Sequence, residues 1–246
     1  MKPSVVPMLA CAIALTAAAV GRARPEAMTI AILVDVTGSM HVCPGGVAGL
    51  PSSTKAGSGT TMTSMLDRRP IPPAVEEFPL VGIDATDRVR LGAISRRFTL
   101  SDPIAGGSAE LRKAWRALFD MPPVEWLGPS PIWDATAETV RTMSADAGKR
   151  AIVLVTDGLA SGNRVGATDA AFAARWAGIP VTVVAAESVL PAQSMSVIGR
   201  DPLTALSELA RMSGGRFLVD RAIGSGDPCF RRDTTNTLWT ALRQIR

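Results

Sequence analysis

"TIAILVDVTGSM", Thr29 to Met40, decides how this chain folds. A mostly apolar run from Met28 to Val34 meets an aspartate, Asp35, and hydroxyls follow at two-residue steps, Thr37 and Ser39. The run has the length of a strand and is apolar at nearly every step instead of alternate ones. That predicts a strand covered on both faces. The oxygens that follow it make either an ordinary strand-to-loop turn or the rim of a ligand site.

Outward from this strand, strand-like and helix-like segments alternate. "VRLGAI" (Val89 to Ile94) and "RFTL" (Arg97 to Leu100) read as short neighbouring strands, the second antiparallel. "AELRKAWRALF" places Leu111, Ala114, Trp115 and Leu118 at helical spacing, and "SPIWDATAETVRTM" does the same with Ile132, Ala135, Val140 and Met143. Ser130-Pro131 predicts the start of that second helix. "RAIVLVTDG" is another apolar strand running into an aspartate, Asp157. An alanine-rich helix near Thr168 to Ala177, a strand "IPVTVVAA", a helix "DPLTALSELARMSGG", a strand "RFLV" and a terminal helix complete the series. Such alternation predicts an α/β fold: a doubly wound, mainly parallel six-stranded sheet with one short antiparallel edge strand and helices on both faces.

The ends and the gaps are informative too. Lys2, the apolar run Val5 to Val20 and the small residues after it fit an export signal over residues 1–27. The expected mature domain is then 28–246, periplasmic or secreted, with no membrane insertion once the signal is cleaved. An uncleaved anchor is the alternative. Residues 41–73, rich in Gly, Pro, Ser and Thr and without period, read as an irregular surface loop.

At 246 residues, 47% hydrophobic and 20% charged, the chain has ample material for one core, so a disordered chain is excluded. The net charge of +4 comes without basic runs: Arg68-Arg69, Arg96-Arg97 and Arg231-Arg232 lie far apart. Nucleic-acid binding is therefore not expected. Beyond Cys11 in the leader only Cys43 and Cys229 remain, with a single histidine, His41. These cannot build the usual N/S zinc site. Any bound metal must be held by oxygen.

In a doubly wound sheet, ligands sit beyond the carboxyl ends of the strands. Asp35 and Asp157 both end strands and are expected at that solvent-facing edge. Thr37, Ser39 and Ser130, in the loop "GPSPIWDA", would join them. Two carboxylates and three hydroxyls make an all-oxygen set suited to Mg²⁺ or Mn²⁺.

These residues, in this order, resemble a von Willebrand factor type A domain. Its metal ion-dependent adhesion site reads Asp-x-Ser-x-Ser, then Thr, then Asp. "DVTGS" supplies Asp35, Thr37 and Ser39; Ser130 stands where the family has Thr, and Asp157 in "VLVTDG" matches the last. "DRVRLGAISRRFTL" and "ELARMSGGRFLV" resemble further family segments, so the likeness covers roughly Met28 to Arg246. Two hydroxyl residues are exchanged, Thr37 for Ser and Ser130 for Thr. The glycine-rich stretch after His41 stands where the family begins its first helix.

The resemblance implies an exported protein-binding module. Through the ion it would capture an Asp or Glu carboxylate of a partner protein, and it would not be an enzyme. A metal-free scaffold and a hydrolase are the rival readings. The chain has no Gly-x-Ser-x-Gly elbow, Walker loop or strand-linked Gly-x-Gly-x-x-Gly, and His41 has no evident catalytic partner. In the family's strand order Cys43 and Cys229 follow strands whose loops leave one edge, so either a bridge or two free thiols would sit there. The tryptophans Trp115, Trp133, Trp176 and Trp239 are expected in the core, and Trp126, just ahead of Ser130, could flank the ligand face.

Overall fold

The computed structural model describes residues 26–37, 40, 82–118, 128–186, 201–220 and 234–246. The expected 41–73 loop, nearly all of the expected leader, Ser39, His41, Trp126 and the three cysteines lie outside them. Among the described residues seven strands form one sheet in the order β3-β2-β1-β5-β6-β7, with β4 also paired to β2. The strands are β1 (Met28–Asp35), β2 (Arg88–Ile94), β3 (Phe98–Leu100), β4 (Ile104–Ala105), β5 (Lys149–Thr156), β6 (Val181–Ala186) and β7 (Phe217–Asp220). The helices are α1 (Ala109–Ala117), α2 (Ile132–Met143), α3 (Ala167–Trp176), α4 (Pro202–Ser213) and α5 (Thr234–Gln244).

The pairs β1–β2, β1–β5, β5–β6 and β6–β7 are parallel, whereas β3 and β4 pair antiparallel with β2. This is the doubly wound arrangement expected, with one addition. The two-residue β4 extends the antiparallel margin that the sequence reading gave to "RFTL" alone.

Strand periodicity divides the core. Along β1, Ile30, Ile32 and Val34 face one side, where Leu111 and Trp115 of α1 and Leu238, Ala241 and Leu242 of α5 cover them. Ala31 and Leu33 face the other side and meet Ile132 of α2, Ala170 of α3 and Leu206 of α4. Successive side chains of a strand point to opposite faces, so a strand with helices on both must be apolar throughout.

The helix ends are specified locally. Ser108 caps α1 by accepting from the Leu111 amide at 3.0 Å. Asp201 caps α4, Pro202 opens it, and Gly214 closes it in the left-handed region at φ 84°. Trp115 and Trp133 are buried as expected and Trp239 is partly so. Trp176 is not: it is 94% exposed. Its helix buries Ala170, Ala171 and Ala174, and the four-residue step from Phe172 to Trp176 falls on the opposite face.

Candidate functional site

The oxygen cluster grows from β1. Asp35 pairs in register with Ile94 of β2, and its neighbour Val34 with Val155 of β5, so its carboxylate emerges between two strands at the carboxyl edge. Four donors meet it. Oδ1 accepts from the Thr37 amide at 3.0 Å and the Thr37 hydroxyl at 2.6 Å. Oδ2 accepts from the Ser130 hydroxyl at 2.9 Å and the Thr156 hydroxyl at 2.7 Å. The structure thus brings together Asp35, Thr37 and Ser130. Asp157 follows Thr156 at the end of β5 and accepts from the Leu159 amide at 3.0 Å. Ser39 lies outside the described residues.

The sequence reading missed Thr156. It is a strand residue by type, and β-branched threonine inside an apolar run reads as ordinary strand material. Here its hydroxyl links two sites at once, donating to Asp35 and accepting from the Gly158 amide at 3.0 Å. The signal available was its place immediately before the strand-terminal Asp157.

The helix α2 starts directly after Ser130-Pro131, as expected, and the Ser130 hydroxyl donates to Asp35. The cap comes from Asn163, whose Oδ1 accepts from the Trp133 amide at 2.8 Å and the Asp134 amide at 3.3 Å. Ser161 completes the clamp: its hydroxyl accepts from the Ser130 amide at 2.9 Å and its amide donates to the Ser130 carbonyl at 2.9 Å. Asp134 anchors the same loop by accepting from the amides of Arg164 and Val165, both at 2.9 Å. Burial is the largest influence on the Asp134 carboxyl and pulls it upward. Bonds from Val165 and Arg164 outweigh that together and hold it below the usual carboxylate range.

Gly158 has φ 79°, and a Cβ there would sit 2.8 Å from Leu206 Cδ1. Only glycine tolerates both conditions, which lets the β5 end pass close under the start of α4. The close approach at this glycine is to a helix.

The two carboxylates are not at a solvent-facing position as expected: Asp35 is 2% exposed and Asp157 0%. The cause is the packing of flanking loops over the strand ends, with the Ser130 loop bonded directly to Asp35.

Does this set suit a divalent cation? A hydroxyl has one proton and two lone pairs. Thr37 and Ser130 spend that proton on Asp35, so each has only lone pairs left to offer. Among the described residues no group of three or more His, Cys, Asp and Glu side chains could hold a metal. A soft or carboxylate-rich cage is thus absent from them, and a hard cation such as Mg²⁺ or Mn²⁺ fits the oxygens present.

No known protein family profile matches the sequence, and no curated protein does. Solved structures do share the fold. An aerotolerance-related membrane protein from Bacteroides fragilis is 18% identical over 89% of this chain and 98% of its own, with a TM-score of 0.53. A von Willebrand factor type A protein from Catenulispora acidiphila is 14% identical over 89% of this chain and 42% of its own, TM-score 0.52. Proximal thread matrix protein 1 from the mussel byssus, described with a zinc-occupied MIDAS motif, is 15% identical over 89% of this chain and 45% of its own, TM-score 0.52.

Proposed function

We propose that this chain, whose fold is that of a von Willebrand factor type A domain, works as an exported, non-catalytic, metal-dependent protein-binding module. The observation that carries the reading is the bond pattern at Asp35. Its carboxylate takes the protons of the Thr37 and Ser130 hydroxyls, so that their neutral oxygens keep lone pairs for a cation. Ser39 and Asp157 would complete the set. Mg²⁺ or Mn²⁺ bound there supplies an electrophilic position for an Asp or Glu carboxylate of a partner protein. Neutral ligands leave more of the ion's charge for that carboxylate than a carboxylate cage would. The zinc-occupied motif of the mussel protein supports divalent-cation use on this fold.

Titration calorimetry of the protein with MgCl₂ and MnCl₂ tests the reading. Saturable binding is expected in the wild type and its loss in Asp35→Asn and Asp157→Asn. Thermal melts of both variants verify that each remains folded. Unchanged binding in the two folded variants overturns the site.

A metal-free scaffold is the second reading. It is favoured by one observation: Asp35 is already satisfied by four internal donors, so the cluster closes without an ion. A flat titration of the wild type selects it.

A further inference from the structure

We propose that the sheet edge remote from the oxygen cluster docks on an anionic lipid bilayer, with Trp176 as the interfacial anchor. The first observation is an exposed aromatic pair. Phe172 is 57% and Trp176 94% exposed on one face of α3. Indole joins a large apolar body to a polar N–H, which suits it to the boundary between acyl chains and headgroups.

The second observation is where this pair sits. Trp176 is the last residue of α3, which returns the chain to the start of β6, so it lies at the amino-terminal edge of the parallel strands. Arg150, at the start of β5, fixes that edge. It donates to the carbonyls of Met143 and Ser144, at the end of α2, and to the Ala177 carbonyl beside Trp176, at 3.2–3.3 Å. The end of α4 arrives there too, because a Cβ on Gly215 would lie 2.1 Å from the Val181 carbonyl oxygen.

The third observation is charge. Lys149, Arg175, Arg211 and Arg216 are all exposed on this edge. The sequence shows no basic run; the fold assembles one from three separate segments. Complementing helix dipoles accounts for Arg175 and Arg211 in their last turns. Lys149 is answered by Glu26, but neither effect accounts for Arg216, just ahead of β7, nor for a tryptophan in water. Anionic headgroups complement the whole set.

The chain ahead of Glu26 joins the fold at this same edge, since Lys149 pairs with Glu26 at 2.9 Å. The docking proposed here is peripheral, and among the described residues no helix is long and apolar enough to cross a membrane.

Co-sedimentation with vesicles tests this, using the chain as its own host produces it, whatever its amino terminus. Phosphatidylcholine vesicles are compared with vesicles that also contain phosphatidylglycerol. The anionic vesicles should bind more protein, and added NaCl should reduce that excess. The double variant Arg175→Gln, Arg211→Gln should lose the excess by on the order of tenfold or more, and Trp176→Ser should lower binding severalfold. These side chains are exposed, so the variants leave the core intact, and any leader is common to all of them. Equal binding to both vesicle types, or variants that bind like wild type, overturns the proposal. So does a concentration-dependent dimer that Trp176→Ser abolishes while no vesicle binding is seen.

Discussion

At Asp35 two oxygens serve four donors, so each donor's loss can be read separately. Thr156→Val keeps shape and branching but leaves Asp35 one donor short and strands the Gly158 amide. A buried group left without its partner costs about 1–3 kcal/mol. Urea denaturation should show that loss, and an unchanged midpoint would mean that water replaces the hydroxyl. Asp134 gives a pH signature. Its folded carboxyl titrates below the unfolded value of about 3.9, so its contribution is fully present above that value. It is lost as the pH falls below about 3.9 through the lower folded value. Asp134→Asn should therefore flatten the stability profile below about pH 4 and lower stability at neutral pH, as followed by chemical denaturation across pH. The strand ends at Asp35 and before Asp157, the two-residue step to Thr37 and the helix start behind Ser130 could be read locally. Thr156 and Asn163 could not. Their roles exist only once β5 lies beside β1 and the 159–166 loop folds back over α2, contacts that no local pattern encodes.

Among the elements, β2 and the α2–β5 connection are joined by one ion pair. Arg90 donates twice to the carboxylate of Asp146, at 3.1 and 3.0 Å, and again to the Ser101 carbonyl at 3.2 Å. Both side chains are almost buried. Asp146→Ala strands a desolvated guanidinium and should cost about 3–5 kcal/mol. Adding Arg90→Met removes the stranded charge and should recover more than half of that. Urea midpoints of the single and double variants decide it. A double variant as unstable as the single one would show that packing, not charge, sets the cost. The elements themselves could be read from sequence because both periods are strong, as with Ile30, Ile32 and Val34 against Ala31 and Leu33. The two-residue β4 was beyond reach, since Ile104–Ala105 is too short to carry any period. Trp176 misled because size and apolarity argue for a core place, whereas the alanines of α3 had already taken the inner face.

Across the whole molecule the two sheet edges differ in chemistry. The carboxyl edge gathers hydroxyls and two aspartates, and the amino edge gathers cations and the exposed indole. All the parallel strands run from one to the other, so a body lying on the amino edge would hold the oxygen cluster outward. The strand order β3-β2-β1-β5-β6-β7 also has a consequence in time. Among the described strands the central β1 comes first in sequence, yet its Asp35 waits 121 residues for Thr156. Until then an almost wholly apolar ribbon has one flank without a partner as the chain leaves the ribosome. Pairings so distant in sequence make folding slow and late. Nascent chains ending at Met143 should thus be cut rapidly by a protease, and chains extended through β6 should gain resistance abruptly. Pulse proteolysis of arrested chains would expose the alternative, a gradual gain with length. Between those two lengths the protein is most at risk of aggregation, and a chaperone that shields β1 would be needed only for that interval.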